Sequence, residues 1–461
     1  MSLPQITSAV PDYALRVVRA LEDAGHEAWV VGGWVRDALM GRAGHDVDVT
    51  TSAPWQTTEA VLGAAGIEVH ETGVQHGTVT AVVDGKPVET TTYRVEGAYT
   101  DHRHPDEVRF VTDVREDLAR RDFTVNAMAY HPERGLLDPF GGRADLAAGV
   151  IRAVGEPYRR FGEDALRVLR AVRFACRLGF AIEPATQEAL AACADDLAGI
   201  ADERVGAEVD GILASGRVAW ALRHETDVML AALPEMAPMR GFAQLSRYHV
   251  YDVLEHTARV CAGVEEVTGG VPSQALRWAA LLHDSAKPAC FSLDEAGHGH
   301  FFGHPQEGAR LAERVMGRLA IPREVTREAA LLIRLHDWEV SERPRSVRRM
   351  VTLVAKSCPE RAVPVAYELV ALKRADALGK APAYRSYAHE LDAVAAQLAR
   401  EVKSRCAFRV ADLAINGGDV MRERKIEPGP GVGMVLAEAL EAVTEGEVAN
   451  EREALLAWLR Y

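Results

Sequence analysis

The sequence predicts an α+β protein in which a mixed head of strands and helices precedes a helical body. Three observations predict this class. In the first 150 residues, short β-like runs alternate with loops. From about residue 155, apolar residues recur with a period near 3.6, in Ala- and Leu-rich segments. The length of 461 residues exceeds one compact core and suggests about three domains at roughly 150 residues each.

The composition is that of an ordinary globular protein, with 48% hydrophobic and 26% charged residues. The longest apolar runs, such as Trp278 to Leu282, are far shorter than the roughly 18 residues needed to cross a bilayer, and the first ten residues lack a signal-peptide pattern. We therefore expect a cytoplasmic protein that does not span a membrane. The six cysteines form no C-x-x-C pair, which predicts neither a disulfide framework nor a cysteine zinc site.

The net charge of −14 excludes general affinity for polyanions, because phosphate backbones are bound by clustered Lys and Arg. Contact with a nucleic acid therefore needs a local basic patch. The segment from Ile151 to Phe180 provides one, since it holds seven arginines against three acidic residues.

Four strands are predicted in the head: His26–Val31, Asp46–Thr50, Thr78–Val83 and Pro87–Thr91. The last two flank Asp84-Gly85, a dipeptide that suits the positive φ angles of a tight hairpin turn. The first strand is followed by Gly32 and Gly33 and then by the start of a helix. Such a turn lets a phosphate approach the backbone and a helix N-terminus, and Arg36 would add a cation; a purely structural turn is the alternative.

Asp46 and Asp48 stand two residues apart on a predicted strand, so both face one side of the sheet while Val47 and Val49 face the core. Two adjacent anions repel each other unless a cation lies between them, and hard oxygen ligands suit Mg²⁺. The position one loop after the glycine turn favours phosphoryl or nucleotidyl transfer. A solvated strand face is the alternative.

Five ordered segments together resemble the nucleotidyltransferase superfamily that includes DNA polymerase beta and, more narrowly, the bacterial-type (class II) CCA-adding tRNA nucleotidyltransferases. These segments are Gly32 to Asp37, Asp46 to Asp48, Thr72 to Thr78, Arg120 to Ala127 and Glu163 to Arg167. The resemblance implies a polymerase-beta-like head and template-independent addition of the 3′ CCA of tRNA from CTP and ATP. It also implies that Asp46 and Asp48 hold the catalytic Mg²⁺ ions; Glu89 is either a third carboxylate or an exposed strand residue.

The resemblance further implies which residues bind the incoming nucleotide. They are Gly32, Gly33, Arg36, Arg120, Arg121, Asp122, Asn126, Asp164, Arg167 and Arg170. Arg120 to Asn126 would contact ribose and triphosphate, and Asp164 and Arg167, three residues apart on a predicted helix, would read the edges of C and A. A solvated loop and an ordinary intrahelical ion pair are the respective alternatives.

The histidine-rich region resembles a metal-dependent HD phosphohydrolase domain. The implied ligands occur in the expected order: His256, His283, Asp284, His304, His336 and Asp376. Imidazole and carboxylate ligands suit a divalent transition metal such as Mn, Ni, Co, Fe or Zn, and an adjacent His-Asp lets one carboxylate bridge two ions. Ala286 stands where the usual pattern has Gly. His249, seven residues before His256, is predicted to share its helix face.

These resemblances divide the chain into four parts: a catalytic head (1–150), an all-helical neck that recognises the base (151–245), an HD body (246–380) and a tRNA-binding helical tail (381–461). The segment Tyr93 to Pro105 resembles the flexible loop of enzymes that add the terminal A. Two alternatives stay open. One is an A-adding enzyme or poly(A) polymerase, and the other is a nucleotide-binding regulatory module that controls an HD hydrolase.

Overall fold

The structure is a computed structural model that describes residue 6 and residues 10–44, 46–96 and 108–461. It divides into two compact units. Unit 1 comprises Met1–Val209 and Asp227–Ala232, and unit 2 comprises Asp210–Thr226 and Leu233–Tyr461. The predicted α+β class is confirmed, because a mixed sheet with helices is followed by a mainly helical chain. Most of the predicted flexible loop, residues 97–105, lies outside the described residues.

The elements of the first half of the chain are, in order, α1 (Asp12–Asp23), β1 (Ala28–Val31), α2 (Gly33–Leu39), β2 (Asp48–Thr51), α3 (Trp55–Ala64), β3 (Glu68–Gly73), β4 (Thr78–Val83), β5 (Lys86–Thr92), β6 (Arg94–Glu96), β7 (Val108–Phe110), α4 (Val114–Ala119), β8 (Ala129–His131), β9 (Gly135–Leu137), α5 (Gly142–Ala148), β10 (Val150–Ile151), α6 (Pro157–Glu163), α7 (Leu166–Leu178), β11 (Ala181–Ile182), α8 (Pro184–Ala192), α9 (Asp202–Ala214), α10 (Val218–His224) and α11 (Thr226–Ala232).

The second half continues with α12 (Val253–Val267), α13 (Gln274–Leu282), β12 (Ser292–Leu293), β13 (Gly299–His300), α14 (His304–Arg318), α15 (Arg323–Leu335), α16 (Pro344–Ser357), α17 (Ala362–Gly379), α18 (Ser386–Lys403), α19 (Gly417–Arg424), α20 (Pro430–Glu445) and α21 (Arg452–Trp458). Within the part of the chain that the structure describes, no helix combines the length and apolar character needed to cross a bilayer. The six cysteines are free thiols.

The main sheet of unit 1 has seven strands in the order β3-β4-β5-β2-β1-β8-β9. Only the β2–β5 pair is parallel, and the other pairs are antiparallel. The hairpin between β4 and β5 is confirmed, since Asp84 and Gly85 have φ angles of 52° and 74° and Val83 pairs with Lys86. The central position of β1 and β2 places the turn after β1 and the start of β2 side by side.

A buried cluster fixes this arrangement from one face of the sheet. Trp29 and Val31 of β1 pack with Val114 and Leu118 of α4 and with Tyr93. Burial of each large apolar side chain contributes about 1.5–3 kcal/mol. The segment that leads from α4 into the Arg120 motif is thereby held against the central strands.

The all-helical neck is a prediction that the structure corrects. β10 pairs in parallel with β11 at Val150↔Ala181 and Ile151↔Ile182. Gly179, with a φ of 78°, ends α7 in the left-handed conformation and turns the chain back to form this pair. In the region predicted to be the HD body, β12 and β13 form a short antiparallel pair.

Unit 2 is built mainly from helices that pack against one another. α12 packs against α17, α14 packs against α15, and α13 packs against α15. Towards the C-terminus, a separate apolar cluster joins α19, α20 and α21, with Val420, Ala439, Val443 and Leu455 buried at its centre. The paired helices place the ends of α13 and α15 and the start of α14 around one buried point.

Candidate functional site

The backbone of the turn between β1 and α2 lies close to polar side chains from other parts of unit 1. Gly32 has a φ of 70°, a conformation that L side chains rarely adopt. A Cβ at Gly32 would lie 3.1 Å from Arg121 Nη1 and 3.8 Å from Asp48 Oδ2. A side chain here would therefore be strained and would crowd the guanidinium of Arg121, with the carboxylate of Asp48 in ordinary contact. The predicted strand, glycine turn and helix are confirmed, with α2 starting at Gly33.

The two predicted metal-binding aspartates stand at the start of β2. The predicted strand began at Asp46, but β2 begins at Asp48, so Asp46 lies just before the strand. The predicted alternation holds, because Val47 and Val49 are buried whereas Asp48 is half-buried and Asp46 exposed. The extended backbone before the strand keeps the alternation although it lacks the strand's pairing.

Asp48 lies among other carboxylates. In the parallel register, Asp48 pairs with Glu89 of β5. Burial raises the pKa of Asp48; Arg121 opposes this shift, while Glu89 and Asp46 raise the pKa further. Three acidic side chains thus act on one point that Arg121 neutralises only in part, and a bound cation would relieve this repulsion.

These residues open into one cavity of about 690 Å³ in unit 1. Nine arginines and three aspartates line it, although the whole chain carries a net charge of −14. The predicted residues in this lining are Gly32, Gly33, Arg36, Asp48, Arg120, Arg121, Asp122, Asn126, Asp164, Arg167 and Arg170. Asp46 is not among the lining residues. The cavity suits a ligand with several negative charges, since converging guanidinium groups bind phosphates.

A buried aspartate holds the arginine pair of the cavity. Asp117 in α4 is 0% exposed and accepts hydrogen bonds from Arg120 Nε and Nη2 at 2.9 and 2.8 Å. Thr50 Oγ1, two residues after Asp48, donates to the other oxygen of Asp117 at 3.2 Å, and Arg121 Nη2 lies 3.5 Å from it. Burial raises the pKa of Asp117, but Arg120 and Arg121 lower it more. Asp117 therefore couples β2 to the arginine pair.

Hydrogen bonds within the protein occupy all the lone-pair sites of the Asp122 carboxylate. Its Oδ2 accepts from Arg170 Nε and Nη2 at 3.0 and 2.6 Å, and its Oδ1 accepts from the Phe123 backbone N–H and Asn126 Nδ2 at 2.8 and 3.3 Å. Four bonds match the roughly four lone-pair sites of a carboxylate. Burial would raise the pKa of Asp122, but Arg170 and Asn126 hold it at about 2. The predicted contact with a ribose stays a prediction.

Arg36 of α2 joins the same network. Its Nη1 donates to Asn126 Oδ1 at 2.7 Å and its Nε donates to Asp37 Oδ1 at 2.8 Å. Burial lowers the pKa of Arg36, and Asp37 opposes this shift. The glycine turn, Asn126, Asp122 and Arg170 thus form one connected polar wall, which fixes the orientation of each member.

The prediction that Asp164 and Arg167 project from one helix is wrong for Asp164. α6 ends at Glu163 and α7 begins at Leu166, and Asp164 has extended backbone between them. Its Oδ1 accepts from Leu166 N at 3.1 Å and its Oδ2 accepts from Arg204 Nη2 at 2.9 Å. Asp164 thus accepts from a free N–H group at the start of α7. Aspartate is better suited to this position than to the interior of a helix.

Arg167 is held by residues of α6 and by a backbone carbonyl that follows α4. Its Nη1 donates to Glu163 Oε2 at 2.7 Å and to the Arg160 carbonyl at 3.0 Å, and its Nη2 donates to the Arg120 carbonyl at 3.3 Å. Glu163 is a partner of Arg167, and Arg204 is a partner of Asp164. Both still line the cavity, so the structure brings them to the same space as Asp48.

In unit 2, the predicted HD ligands form two groups around Asp284. His256, His283 and Asp284 form one group, and Asp284, His304 and His336 form the other; the candidate ligand atoms in each lie within 4.8 Å of one another. Oδ2 of Asp284 lies 3.4 and 3.2 Å from His256 Nε2 and His283 Nε2. Oδ1 lies 3.5 and 3.8 Å from His304 Nε2 and His336 Nε2. One carboxylate thus faces a histidine pair with each oxygen.

The histidines are oriented for binding through Nε2. The Nδ1 atoms of His283, His304 and His336 lie 2.9, 2.8 and 2.6 Å from the backbone carbonyls of Ala280, Phe301 and Ile333. A carbonyl only accepts, so each Nδ1 is the donor and each Nε2 faces the centre, where it can bind an ion through its lone pair when the ring is neutral. Two such Nε2 atoms, of His304 and His336, lie only 3.3 Å apart.

Asp284 and Asp376 complete this centre. His283 Nε2 and both oxygens of Asp284 are buried without a hydrogen bond of acceptable geometry within the described residues, although Lys287 Nζ lies 2.7 Å from Asp284 Oδ2. Asp376 Oδ1 lies 3.1 Å from His256 Nε2. Buried polar atoms without partners are costly, and divalent ions bound between them would remove this cost. These residues therefore fit a divalent metal centre.

A cavity of about 670 Å³ opens onto this centre. Asp284, His304, His336, Asp376 and His249 are among its lining residues. The predicted helical position of His249 is wrong, because α12 begins only at Val253. Its ring lies edge-on to His256, with centroids 5.0 Å apart, and burial lowers the pKa of His249 to about 2.

Sequence reasoning missed Asp117 and Arg204, and it missed the contact that Lys287 makes. The D-x-x-R spacing of Asp117 and Arg120 was a usable signal, since residues three apart on a helix are neighbours. Arg204 gave none, because its contact with Asp164 spans 40 residues. Lys287 was seen in the sequence as part of the HD segment, but its contact with Asp284 was not predicted.

Comparison with known protein families matches four consecutive regions of the chain. Residues 28–152 match the poly A polymerase head domain, and residues 179–240 match the RNA and SrmB-binding site of polymerase A. Residues 247–380 match the HD domain, and residues 386–459 match tRNA nucleotidyltransferase domain 2.

Whole-length relatives agree with these matches. The CCA-adding enzyme of Lactiplantibacillus plantarum is 33% identical over 460 residues, which covers 96% of this chain and 94% of the relative. That of Geobacillus stearothermophilus is 34% identical over 97% of this chain and 96% of the relative. The crystal structure of the Bacillus stearothermophilus CCA-adding enzyme in complex with CTP superposes with a TM-score of 0.71 at 31% identity, covering 97% and 96% of the two chains. The chain belongs to the family of CCA-adding enzymes, which are nucleotidyltransferases.

Proposed function

We propose that the arginine-lined cavity of unit 1 is the site at which the chain adds C and A, from CTP and ATP, to the 3′ end of tRNA. The observation that carries this proposal is the single cavity that Asp48 shares with nine arginines. A triphosphate needs several guanidinium donors, and the reaction needs a carboxylate centre beside them. The related enzyme whose structure contains CTP supports the choice of nucleotide.

Divalent ions belong to this reaction, and we propose Mg²⁺, held by Asp46 and Asp48. The mutual repulsion of Asp46, Asp48 and Glu89 supports a cation here, and hard oxygen ligands favour Mg²⁺. When bound, such ions activate the tRNA 3′ hydroxyl and stabilise the leaving pyrophosphate. Arg120 and Arg121, held by Asp117, bind the triphosphate, and Gly32 keeps the turn free of a side chain.

The base is read by Asp164 and Arg167. Both line the cavity, and each has a partner that fixes its orientation, Arg204 for Asp164 and Glu163 for Arg167. A carboxylate that accepts and a guanidinium that donates match the polar edges of C and A. Arg170, bound to Asp122, and Arg36, bound to Asn126, complete the nucleotide site.

A product ladder tests this function. Purified protein is incubated with Mg²⁺, CTP and ATP and with transcripts that end before CCA, at CC, or in an unrelated 3′ sequence. We expect C and then A on the first, A alone on the second and nothing on the third. Addition of A alone to any 3′ end would indicate an A-adding enzyme or a poly(A) polymerase instead. Asp48→Asn should abolish incorporation, with Asp23→Asn as an exposed control.

A second activity is favoured by the centre around Asp284. We propose that this centre holds two divalent transition-metal ions and hydrolyses phosphate esters. When bound, the ions activate water and neutralise the phosphate. The chain's own Nε2 atoms and the two oxygens of Asp284 would hold them, and Lys287 and Lys380 add positive charge beside the carboxylates of Asp284 and Asp376.

Metal analysis and hydrolysis assays test the second activity. We expect two metal equivalents in the wild-type protein after loading with Mn, Ni, Co, Fe or Zn, and hydrolysis of 2′,3′-cyclic or terminal phosphates. If Asp48→Asn loses incorporation but keeps hydrolysis, the two sites are separate activities. If the wild-type protein never incorporates nucleotides and nucleotides only modulate hydrolysis, the head is a regulatory module.

The division into head, neck, HD body and tail is part of this proposal, with the tail binding tRNA. The four matched regions support it, because their boundaries at 152, 240–247 and 380–386 fall near the predicted ones. The six free thiols support action in the reducing cytoplasm.

A further inference from the structure

Arg160 of α6 is a largely buried arginine whose guanidinium binds the backbone of the head. Only 12% of its side chain is exposed, and Arg160 is not among the residues that line the arginine-rich cavity. Its Nη2 donates to the Ala119 carbonyl at 2.7 Å, its Nη1 to the Arg120 carbonyl at 3.1 Å and its Nε to the Val154 carbonyl at 3.1 Å. These bonds hold the chain at the point where the segment with Arg120 and Arg121 begins.

The end of α4 is a favourable place for such a cation. Ala119 is the last residue of α4, and Arg120 follows it as the C-terminal cap. The last carbonyls of a helix lack partners within the helix and carry partial negative charge. A guanidinium has donors on separate nitrogen atoms, so it can bind two such carbonyls at once. Arg160 thus caps α4 from another helix.

A closed ring of hydrogen bonds extends this cap to Arg167, the proposed base-reading residue. Glu163 Oε2 accepts from Arg160 Nη1 at 2.8 Å and from Arg167 Nη1 at 2.7 Å. The Arg120 carbonyl accepts from the same two side chains, from Arg160 Nη1 at 3.1 Å and from Arg167 Nη2 at 3.3 Å. Each of the two guanidinium groups therefore contacts both acceptors, the Glu163 carboxylate and the Arg120 carbonyl.

The ring connects residues with two different proposed roles in the same cavity. Arg167, Arg120 and Arg121 all line the cavity that Asp48 also lines. Because Arg160 and Arg167 share both acceptors, a shift of the Arg167 guanidinium changes the bonds that fix the Arg120 carbonyl. Groups within one hydrogen-bond network respond to each other in this way.

We propose that Arg160 is a positioning residue that determines specificity, because it couples recognition of the base by Arg167 to placement of the triphosphate by Arg120 and Arg121. This inference rests on the proposed nucleotidyl transfer and adds a residue to it. A base that matches Arg167 leaves the ring closed, and the triphosphate is then held for reaction. A base that draws Arg167 away opens the ring and displaces the triphosphate, so that discrimination acts on the rate of transfer as well as on binding.

Arg160→Lys tests this coupling, with Arg159→Lys as the matched control. Lysine keeps the positive charge at the end of α4, but its single nitrogen cannot replace the planar fork of donors. Arg159 is the adjacent residue of α6, its side chain is 79% exposed, and its ion pair with Glu163 Oε1 at 3.3 Å is screened by solvent. The ligands are CTP, UTP with a different base, and inorganic tripolyphosphate with no base. Affinities are measured by calorimetry with Mg²⁺, and transfer to a transcript that lacks CCA is measured in single turnover at saturating CTP.

For Arg160→Lys we expect the affinity for CTP and the saturating transfer rate each to fall about tenfold, and the affinities for UTP and tripolyphosphate to change less than threefold. Arg159→Lys should change each quantity less than twofold. Three results would overturn the coupling: an equal loss on CTP and tripolyphosphate, an unchanged affinity for CTP, or a loss of CTP affinity with an unchanged saturating rate. The first would leave Arg160 as a support of the backbone, and the last would leave it as a support of Arg167 alone.

A second variant covers the case in which Arg160→Lys does not fold, which is monitored by thermal unfolding. Glu163→Gln removes the charged acceptor of the ring and leaves the bonds from Arg160 to Ala119 and Arg120 in place, so the same measurements on it decide. If the wild-type protein transfers no nucleotide, the proposed function fails. The affinities for CTP, UTP and tripolyphosphate then still decide whether Arg160 links the base to the triphosphate.

Discussion

Asp122 is expected to act by positioning Arg170, and Asp122→Asn tests this. The four hydrogen bonds to its carboxylate leave no lone pair for the 2′ hydroxyl of an incoming ribonucleotide. Direct recognition of the ribose would require one of these bonds to break first. If Asp122 instead holds Arg170 towards the triphosphate, the substitution should weaken the use of CTP and dCTP alike.

The size of the effect follows from the two bonds that Arg170 donates. Each charge-assisted hydrogen bond contributes about 1.5–3 kcal/mol, but the asparagine keeps one acceptor and the Arg170 side chain is 33% exposed, which screens the charge. A loss of about 2 kcal/mol is therefore expected, which corresponds to about 30-fold in kcat/KM. Because the pKa of Asp122 is held at about 2, the carboxylate stays charged above about pH 4. The pairing is lost only as the pH falls through about 2.

The assay is single-turnover incorporation of CMP or dCMP into a transcript that lacks CCA. We expect both nucleotides to lose about 30-fold, and the CTP to dCTP ratio to change less than threefold, between pH 6 and 9. Asp145→Asn is the control, since Asp145 is as buried as Asp122, at 8% exposure, but binds Arg152 and Thr124 outside the cavity lining. A loss confined to CTP would refute the positioning role and show that Asp122 contacts the ribose.

Three further predictions concern carboxylates whose contacts the structure defines. Asp117→Asn should raise the KM for CTP and ATP about tenfold by releasing Arg120, measured by initial rates, and an unchanged KM would contradict this role. Glu89→Gln should slow incorporation at least tenfold whereas exposed Glu71→Gln does not; equal rates would make Glu89 an ordinary strand residue. Asp284→Asn should remove both metal equivalents, by elemental analysis, while incorporation persists; retention of either ion would exclude a shared ligand.

The parts of the head that the sequence predicted well are those where local pattern decides the structure. Alternating burial placed Val47 and Val49 inside, and the Asp84-Gly85 turn set the β4–β5 register. The start of α7 was misplaced for a physical reason. Apolar periodicity extends backwards from Leu166 to Asp164, but the side chain of Asp164 accepts a hydrogen bond from the N–H of Leu166, and the helix begins only after Asp164.

Partners that come from distant parts of the chain could not be predicted. The lone pairs of the Asp122 carboxylate are all occupied only because Arg170, 48 residues away, donates to it. The orientation of Asp164 likewise depends on Arg204, 40 residues away. Motif spacing shows which residue types are present, but the number of lone pairs already in use depends on tertiary packing. A motif residue that is predicted to bind the substrate can therefore act instead by holding another side chain in place.

At the centre around Asp284, the sequence likewise predicted which residues are involved but not how they are arranged. The resemblance in sequence predicted which residues are the ligands, whereas the structure divides the four histidines between the two oxygens of one carboxylate. Helices α12 and α13 bring His256 and His283 to Oδ2, and helices α14 and α15 bring His304 and His336 to Oδ1. His283 Nε2 and both oxygens of Asp284 are buried without a hydrogen bond of acceptable geometry in the described part of the chain, which is costly without cations between them. The helix packing of unit 2 thus keeps an arrangement that is unfavourable by itself, and two bound ions sharing Asp284 would make it favourable.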